Sequence, residues 1–168
     1  MITQKYTTLY WAYGANLNLA GMNYRCPNAK PIKKLILQNW ELGFSGVATI
    51  KPKRGSHVHG ALWLLTKKCE DSLDVFEGYP SLYRKIWLEQ GGIEFMAYVM
   101  NRDDPRKPSQ GYLDTIAEGY KNWRLPVSNL LATAAATKDT YRDRYKTNAY
   151  TSYKYHGYNS TSGHDNVF

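Results

Sequence analysis

Bulky apolar and aromatic positions crowd together at 9–13, Leu-Tyr-Trp-Ala-Tyr, and the run stops at Gly14. Such residues favour a pleated, half-buried backbone, so a strand is expected there. Gly14, Ala15 and Asn16 are small or turn-prone and predict a tight, bare turn after it. Similar apolar runs at 43–50, 58–65, 84–90 and 93–100 read as further strands. Gly91 and Gly92, between the last two, predict a hairpin turn. Helical spacing is weaker at 18–26 and clearer at 69–78, 109–123 and 127–138. Ser128 is the expected N-cap of the last helix. Residues 101–111 form a polar, Pro-containing loop. Strands mixed with short helices and a hairpin predict an α+β fold with a mixed sheet.

The pattern changes near residue 141. Residues 141–168 carry six of the fifteen tyrosines, few aliphatics and many Ser, Thr, Asn and Gly. That composition does not build a core. The expected organisation is one domain over 1–140 and a Tyr-rich polar C-terminal tail over 141–168. A chain of 168 residues is long enough for one sizeable core.

Charge and cysteine content narrow the chemistry. The net charge is +8. Residues 1–60 hold eight Lys or Arg against the lone acid Glu41, whereas 61–137 hold nine bases and ten acids. The basic half suits an anionic ligand or simple solubility. No RNP, zinc-finger or helix-turn-helix signature supports a nucleic-acid partner. No run approaches the ~20 apolar residues of a membrane helix. The first residues lack a signal-peptide core, so a cytoplasmic protein is expected. Cys26 and Cys69 make neither a disulfide framework nor a zinc site, and reduced thiols are expected. His57 and His59 share one face of a strand, but no third metal ligand accompanies them. No Gly-x-Ser-x-Gly elbow and no P-loop occurs. No metal site is expected from these residues.

One carboxylate stands apart. In the helix expected over 69–78, with Asp71 or Ser72 as its cap, Leu73, Phe76 and Glu77 lie on one face. Gly78 fits the C′ position and Pro80 follows. Glu77 is thus expected on the apolar side and at the negative end of its helix. Burial and the helix dipole both disfavour its charge and raise its pKa toward neutrality. Such a carboxyl suits general acid or base work. The alternative is a Glu that turns outward or pairs with Arg84 or Lys85.

Several blocks, in order, resemble the gamma-glutamylcyclotransferase-like (AIG2-like) family. They are Leu-Tyr-Trp-Ala-Tyr-Gly-Ala-Asn-Leu (9–17), Arg-Cys-Pro-Asn-Ala (25–29), Ala-Thr-Ile (48–50), the stretch 58–85 and the stretch 108–126. The resemblance implies a small, closed or nearly closed mixed β-barrel with flanking helices. It implies a catalytic glutamate at Glu77. It implies substrate contacts from Tyr10, Tyr13, Gly14, Ala15 and Asn16, from Tyr112, and from Tyr83 as a pocket wall. Ala15 stands where the family usually has serine, which matters if the hydroxyl itself is used. The implied reaction cyclises a γ-glutamyl amide to 5-oxoproline without a cofactor. The substrate would be a γ-glutamyl amino acid or a γ-glutamylamine. The rival expectation is a non-catalytic protein of this fold that binds another anionic small molecule.

Overall fold

The computed structural model describes residues 5–140. The tail expected over 141–168 lies outside the described residues. Five strands, Tyr6–Ala12 (β1), Lys30–Phe44 (β2), Ala48–Thr66 (β3), Tyr83–Gln90 (β4) and Ile93–Met100 (β5), form one mixed sheet in the order β2-β3-β1-β5-β4. Four helices accompany it: Leu19–Arg25 (α1), Lys67–Glu77 (α2), Gln110–Asn122 (α3) and Val127–Ala136 (α4). A 3-10 turn at Ala15–Leu17 follows β1. The α+β class and the mixed sheet are as expected. No helix among the described residues is long and apolar enough to cross a membrane.

β1 is the central strand. It runs antiparallel to β3 and parallel to β5, and Trp11 and Ala12 are fully buried. A strand covered on both faces reads as a continuous apolar run, which is the signature at 9–13. β4 and β5 pair over their whole length across Gly91–Gly92, both at positive φ.

The sheet is not a closed barrel, because β2 and β4 remain its two edges. It curls instead. The β2–β3 register shifts between Gln38 and Trp40, where Asn39 takes a positive φ of 62° and its side chain accepts from Gly55 N at 3.0 Å. Beyond that bend, the hairpin tip leans over the far strands. Tyr83 Oη donates to Ala48 O at 2.7 Å, and Met100 N donates to Thr49 Oγ1 at 3.2 Å. The hairpin tip is therefore tied to β4 and β5 by bonds between side chain and backbone, and the sheet stays open.

Two strand boundaries differ from the pattern. Residues 43–50 are not one strand, since the Ser45–Val47 turn, with Gly46 at φ +82°, divides them between β2 and β3. The hydrophobic pattern assigns no element to 30–42, which is most of β2. Pro31, Lys33, Lys34 and Glu41 mask it, and of the residues 30–42 only Leu35 and Leu37 are buried. Pro and Lys are edge-strand residues, tolerated where one side of the ladder faces solvent.

Helix starts also move. Thr66, not Asp71 or Ser72, caps α2, its hydroxyl accepting from Cys69 N at 3.2 Å. Pro126, not Ser128, occupies the N-cap of α4. Ser109 caps α3. The 3-10 turn is pinned from the other side by α3: a Cβ on Gly119 would lie 2.7 Å from the Leu17 carbonyl carbon and the Asn18 nitrogen. Trp123 Nε1 donates to Leu17 O at 2.9 Å.

Candidate active site

α2 carries the carboxylate to its place. Cys69 and Leu73 are buried on one line of the helix, four residues apart, and Glu77 is the next step of that line. Phe76, expected on the same face, is instead 48% exposed beside it. Gly78 ends the helix in the left-handed region, at φ 63°, and its N–H caps the Asp74 and Val75 carbonyls. The helix thus stops with its last side chain pointing into a cavity of about 120 Å³.

Every site residue that the resemblance implies lines that cavity: Tyr10, Tyr13, Gly14, Ala15, Asn16, Glu77, Tyr83 and Tyr112. Val47 and Ala48 of the hairpin tip, Phe76, Leu82 and Tyr98 complete it. Tyr98 is missing from the sequence reading because it sits mid-strand in an apolar run and looks like core. Glu77 pairs with neither cation proposed for it. Lys85 is tied to Glu70 at 2.6 Å and Asp74 at 2.8 Å, and Arg84 Nη1 donates to Met100 O at 2.8 Å.

Asn16 organises the polar side. Its Nδ2 donates to Glu77 Oε1 at 2.8 Å and to Tyr10 Oη at 3.0 Å. Its Oδ1 accepts from Arg25 Nη2 at 2.8 Å. Burial pushes the Glu77 carboxyl up to about 7, with Arg25 and the Asn16 hydrogen bond opposing the rise. A carboxyl near 7 exchanges protons readily at neutral pH.

The tyrosines divide by what their hydroxyls do. Tyr13 donates to Tyr98 O at 2.6 Å, Tyr83 to Ala48 O at 2.7 Å, and Tyr98 to Asp74 Oδ1 at 2.5 Å. Those protons are committed. Tyr10 accepts from Asn16, and Tyr112 accepts from Ala48 N at 3.1 Å. Among the described residues, nothing takes the proton of either, so both can donate to a ligand. Burial raises all five phenols, Tyr112 to about 12, so they stay neutral donors at physiological pH.

Gly14 forms the floor of the turn. A Cβ there would stand 3.2 Å from Ala48 Cβ and 3.5 Å from Tyr112 Oη. Its φ of −120° lies outside the left-handed region, and its missing side chain leaves the cavity room. Among the described residues no cluster of His, Cys, Asp or Glu is arranged to hold a metal. Cys26 and Cys69 are buried, unbridged thiols, and burial lifts Cys26 to about 12.

The family model for gamma-glutamyl cyclotransferase, AIG2-like, matches residues 10–125, which spans the whole cavity. The chain belongs to the gamma-glutamyl cyclotransferase, AIG2-like family. It is similar to the gamma-glutamylcyclotransferase of Homo sapiens, 31% identical over 137 residues, covering 71% of this chain and 73% of that protein. The Mus musculus protein of the same name matches to the same extent over 138 residues. Among solved structures, one described as a gamma-glutamyl cyclotransferase superposes with a TM-score of 0.64 at 26% identity, covering 79% of this chain and 88% of that one. At family level the protein is therefore an enzyme.

Proposed function

We propose that the protein cyclises a γ-glutamyl amide to 5-oxoproline and a free amine, with Glu77 as the general base and acid. The observation that supports this reading is that Glu77 is the one charged side chain among the cavity-lining residues, held near neutrality by burial. The α-amine of the substrate is mostly an ammonium at neutral pH, with a pKa of ~8. Glu77 takes one of its protons. The freed nitrogen attacks the γ-carbonyl carbon, and the carbonyl electron pair moves to oxygen. Collapse of that intermediate breaks the bond to the second amide nitrogen, which leaves with the proton returned by Glu77. The carboxylate then takes the second proton from the ring nitrogen and passes it to the released amine, which departs as an ammonium. No water is consumed, and the substrate's atoms are divided between the two products.

The nucleophile belongs to the substrate, so folding it into the attack conformer is a large part of the catalysis. Well-oriented intramolecular reactions reach effective molarities of about 10⁵ M or more. In this reading the Gly14–Ala15–Asn16 turn and the Tyr10 and Tyr112 hydroxyls hold the substrate's carboxylate and the developing oxyanion. A cavity of about 120 Å³ takes the glutamyl half, and the leaving half rests at the mouth on Phe76 and Leu82.

The test is a panel of γ-glutamyl amino acids and γ-glutamylamines, with 5-oxoproline and the released amine measured by mass. Equal amounts of both products are expected from at least one compound. Glu77→Gln should lower turnover by roughly 10²- to 10⁴-fold, the usual worth of a positioned general base. A parent protein that releases no 5-oxoproline from the panel overturns the reading.

A further inference from the structure

Arg25 lies outside the cavity wall, and the sequence assigns it no role beyond opening the Arg-Cys-Pro-Asn-Ala block, yet two contacts fix it beside the site. Its Nη2 donates to Asn16 Oδ1 at 2.8 Å. Its guanidinium carbon stands 4.1 Å from the centroid of the Phe76 ring, next to Glu77 in the chain. Gly21 leaves room for it, since a Cβ there would come within 2.9 Å of Nη2. Its buried Nε has no acceptor among the described residues, so Asn16 is the polar group that holds the fork in place.

The Asn16 amide has two possible orientations. In the opposite one, its oxygen would face the Glu77 carboxylate and its NH₂ would face the guanidinium. Both contacts would then be repulsive. A cation on the Oδ1 side therefore decides that Nδ2 faces Glu77 and Tyr10. We propose that Arg25 is a positioning residue: it locks the Asn16 amide, and through it fixes the Glu77 carboxylate in the cavity. This rests on the reading of Glu77 as the acting base.

The surroundings leave Arg25 as the facing charge. Tyr10, Tyr13, Tyr83, Tyr98 and Tyr112 face the same space and are held neutral by burial, as is the Cys26 thiol. Asp74, one turn back on α2, is engaged by Lys85 and Tyr98. Arg25 opposes the effect of burial on Glu77. Removing the cation should let the Glu77 titration rise further.

The experiment compares the full chain with Arg25→Met, which keeps an unbranched apolar stem, and Arg25→Lys, which restores the cation without the planar fork. The Glu77 carboxyl is titrated by ¹³C NMR, assigned with Glu77→Gln, alongside the pH profile of kcat/KM. Arg25→Met should move the Glu77 midpoint and the acidic limb together to higher pH. It should also lower kcat roughly ten- to a hundredfold, within the cost of misplacing a reacting group by about 1 Å. Arg25→Lys should return the midpoint toward the parent value while recovering only part of kcat. A Glu77 midpoint that does not move in Arg25→Met, in a protein that melts like the parent, overturns the proposal. So does a kcat lost equally in both variants with no change in pH profile. The NMR midpoint is read without turnover, so an inactive parent would sink the cyclisation reading while still testing Arg25.

Discussion

Asn16 Nδ2 lies 2.8 Å from Glu77 Oε1, linking residues 61 positions apart in the chain. Asn16 belongs to a short 3-10 turn and Glu77 ends a helix, so two element termini meet at one hydrogen bond. An amide is suited to this point. It donates to the carboxylate while accepting from Arg25, and it carries no charge of its own.

Replacing Asn16 with Asp keeps the acceptor for Arg25 and removes the donor to Glu77. Two carboxyl groups then share the site, and like charges in contact retain a proton between them. The acidic limb of the activity profile should move to higher pH, with turnover at pH 7 falling. A profile that overlays the parent would show that this hydrogen bond does not operate in the working enzyme.

Stability should carry the mark of Glu77 as well. Its carboxyl rises from an ordinary 4.5 to about 7 on folding. The folded state therefore binds the proton more tightly than the unfolded chain. Below the ordinary value the group is protonated in both states, and its contribution is fully present. As pH rises through 7, the folded protein must hold a poorly solvated charge and loses stability. Glu77→Gln has no such charge. In urea melts, its stability should gain on the parent's between pH 5 and 8, by on the order of 2–3 kcal/mol. A difference that is constant across that range would remove burial as the cause of the raised pKa.

Gly14→Val should affect binding and turnover together. The first added carbon is already 3.2 Å from Ala48 Cβ, and the two γ-methyls must displace Tyr112 or the hairpin tip. KM should rise and kcat fall, while Ala15→Ser, which adds one hydroxyl at the cavity wall, should be mild or raise activity. Unchanged KM in Gly14→Val would make residues 14–16 a structural turn without a part in binding.

These features were unequally legible in the sequence. β1, β4 and β5 are plain because buried or paired strands show unbroken or alternating apolar residues. β2 is hidden because an edge strand with Pro31, Lys33 and Lys34 reads as polar chain, and its existence depends on β3 beside it. Glu77 is visible because helix spacing and Gly78 fix its place from local residues alone. Arg25 is not, because its meaning lies in Asn16 and Phe76, which only tertiary folding brings to it. The curled but open sheet is likewise a tertiary outcome: it depends on the bend at Asn39, which no hydrophobic period encodes.

Behind the cavity wall, Lys85 joins two carboxylates, with only 17% of its side chain exposed. Thr8 Oγ1 donates to Glu70 Oε2 at 2.7 Å, and Tyr98 Oη donates to Asp74 Oδ1 at 2.5 Å. The chain of contacts ends at a ring that lines the cavity and meets Tyr10 edge-on at 5.6 Å. Burial works against the charge on Glu70, but Lys85 and Thr8 outweigh it and hold its pKa below the usual value. Lys85→Met deletes the cation and leaves two facing carboxylates. The expected loss is about 2–3 kcal/mol at pH 7, at the lower edge of what breaking a buried pair costs, because these groups are not wholly enclosed. Since Glu70 is held below its ordinary value in the parent, the stability it contributes is present above that value and fades as the solution is acidified. The gap between parent and Lys85→Met should therefore hold from pH 7 down to about 5 and narrow as the pH falls below Glu70's ordinary 4.5. Adding Asp74→Asn to Lys85→Met should restore part of the loss, since it removes one of the unpaired charges, and the cycle of four proteins isolates that coupling. If Lys85→Met costs nothing at pH 7, or the gap widens on acidification, the ion pairs do not hold the Tyr98 wall in place.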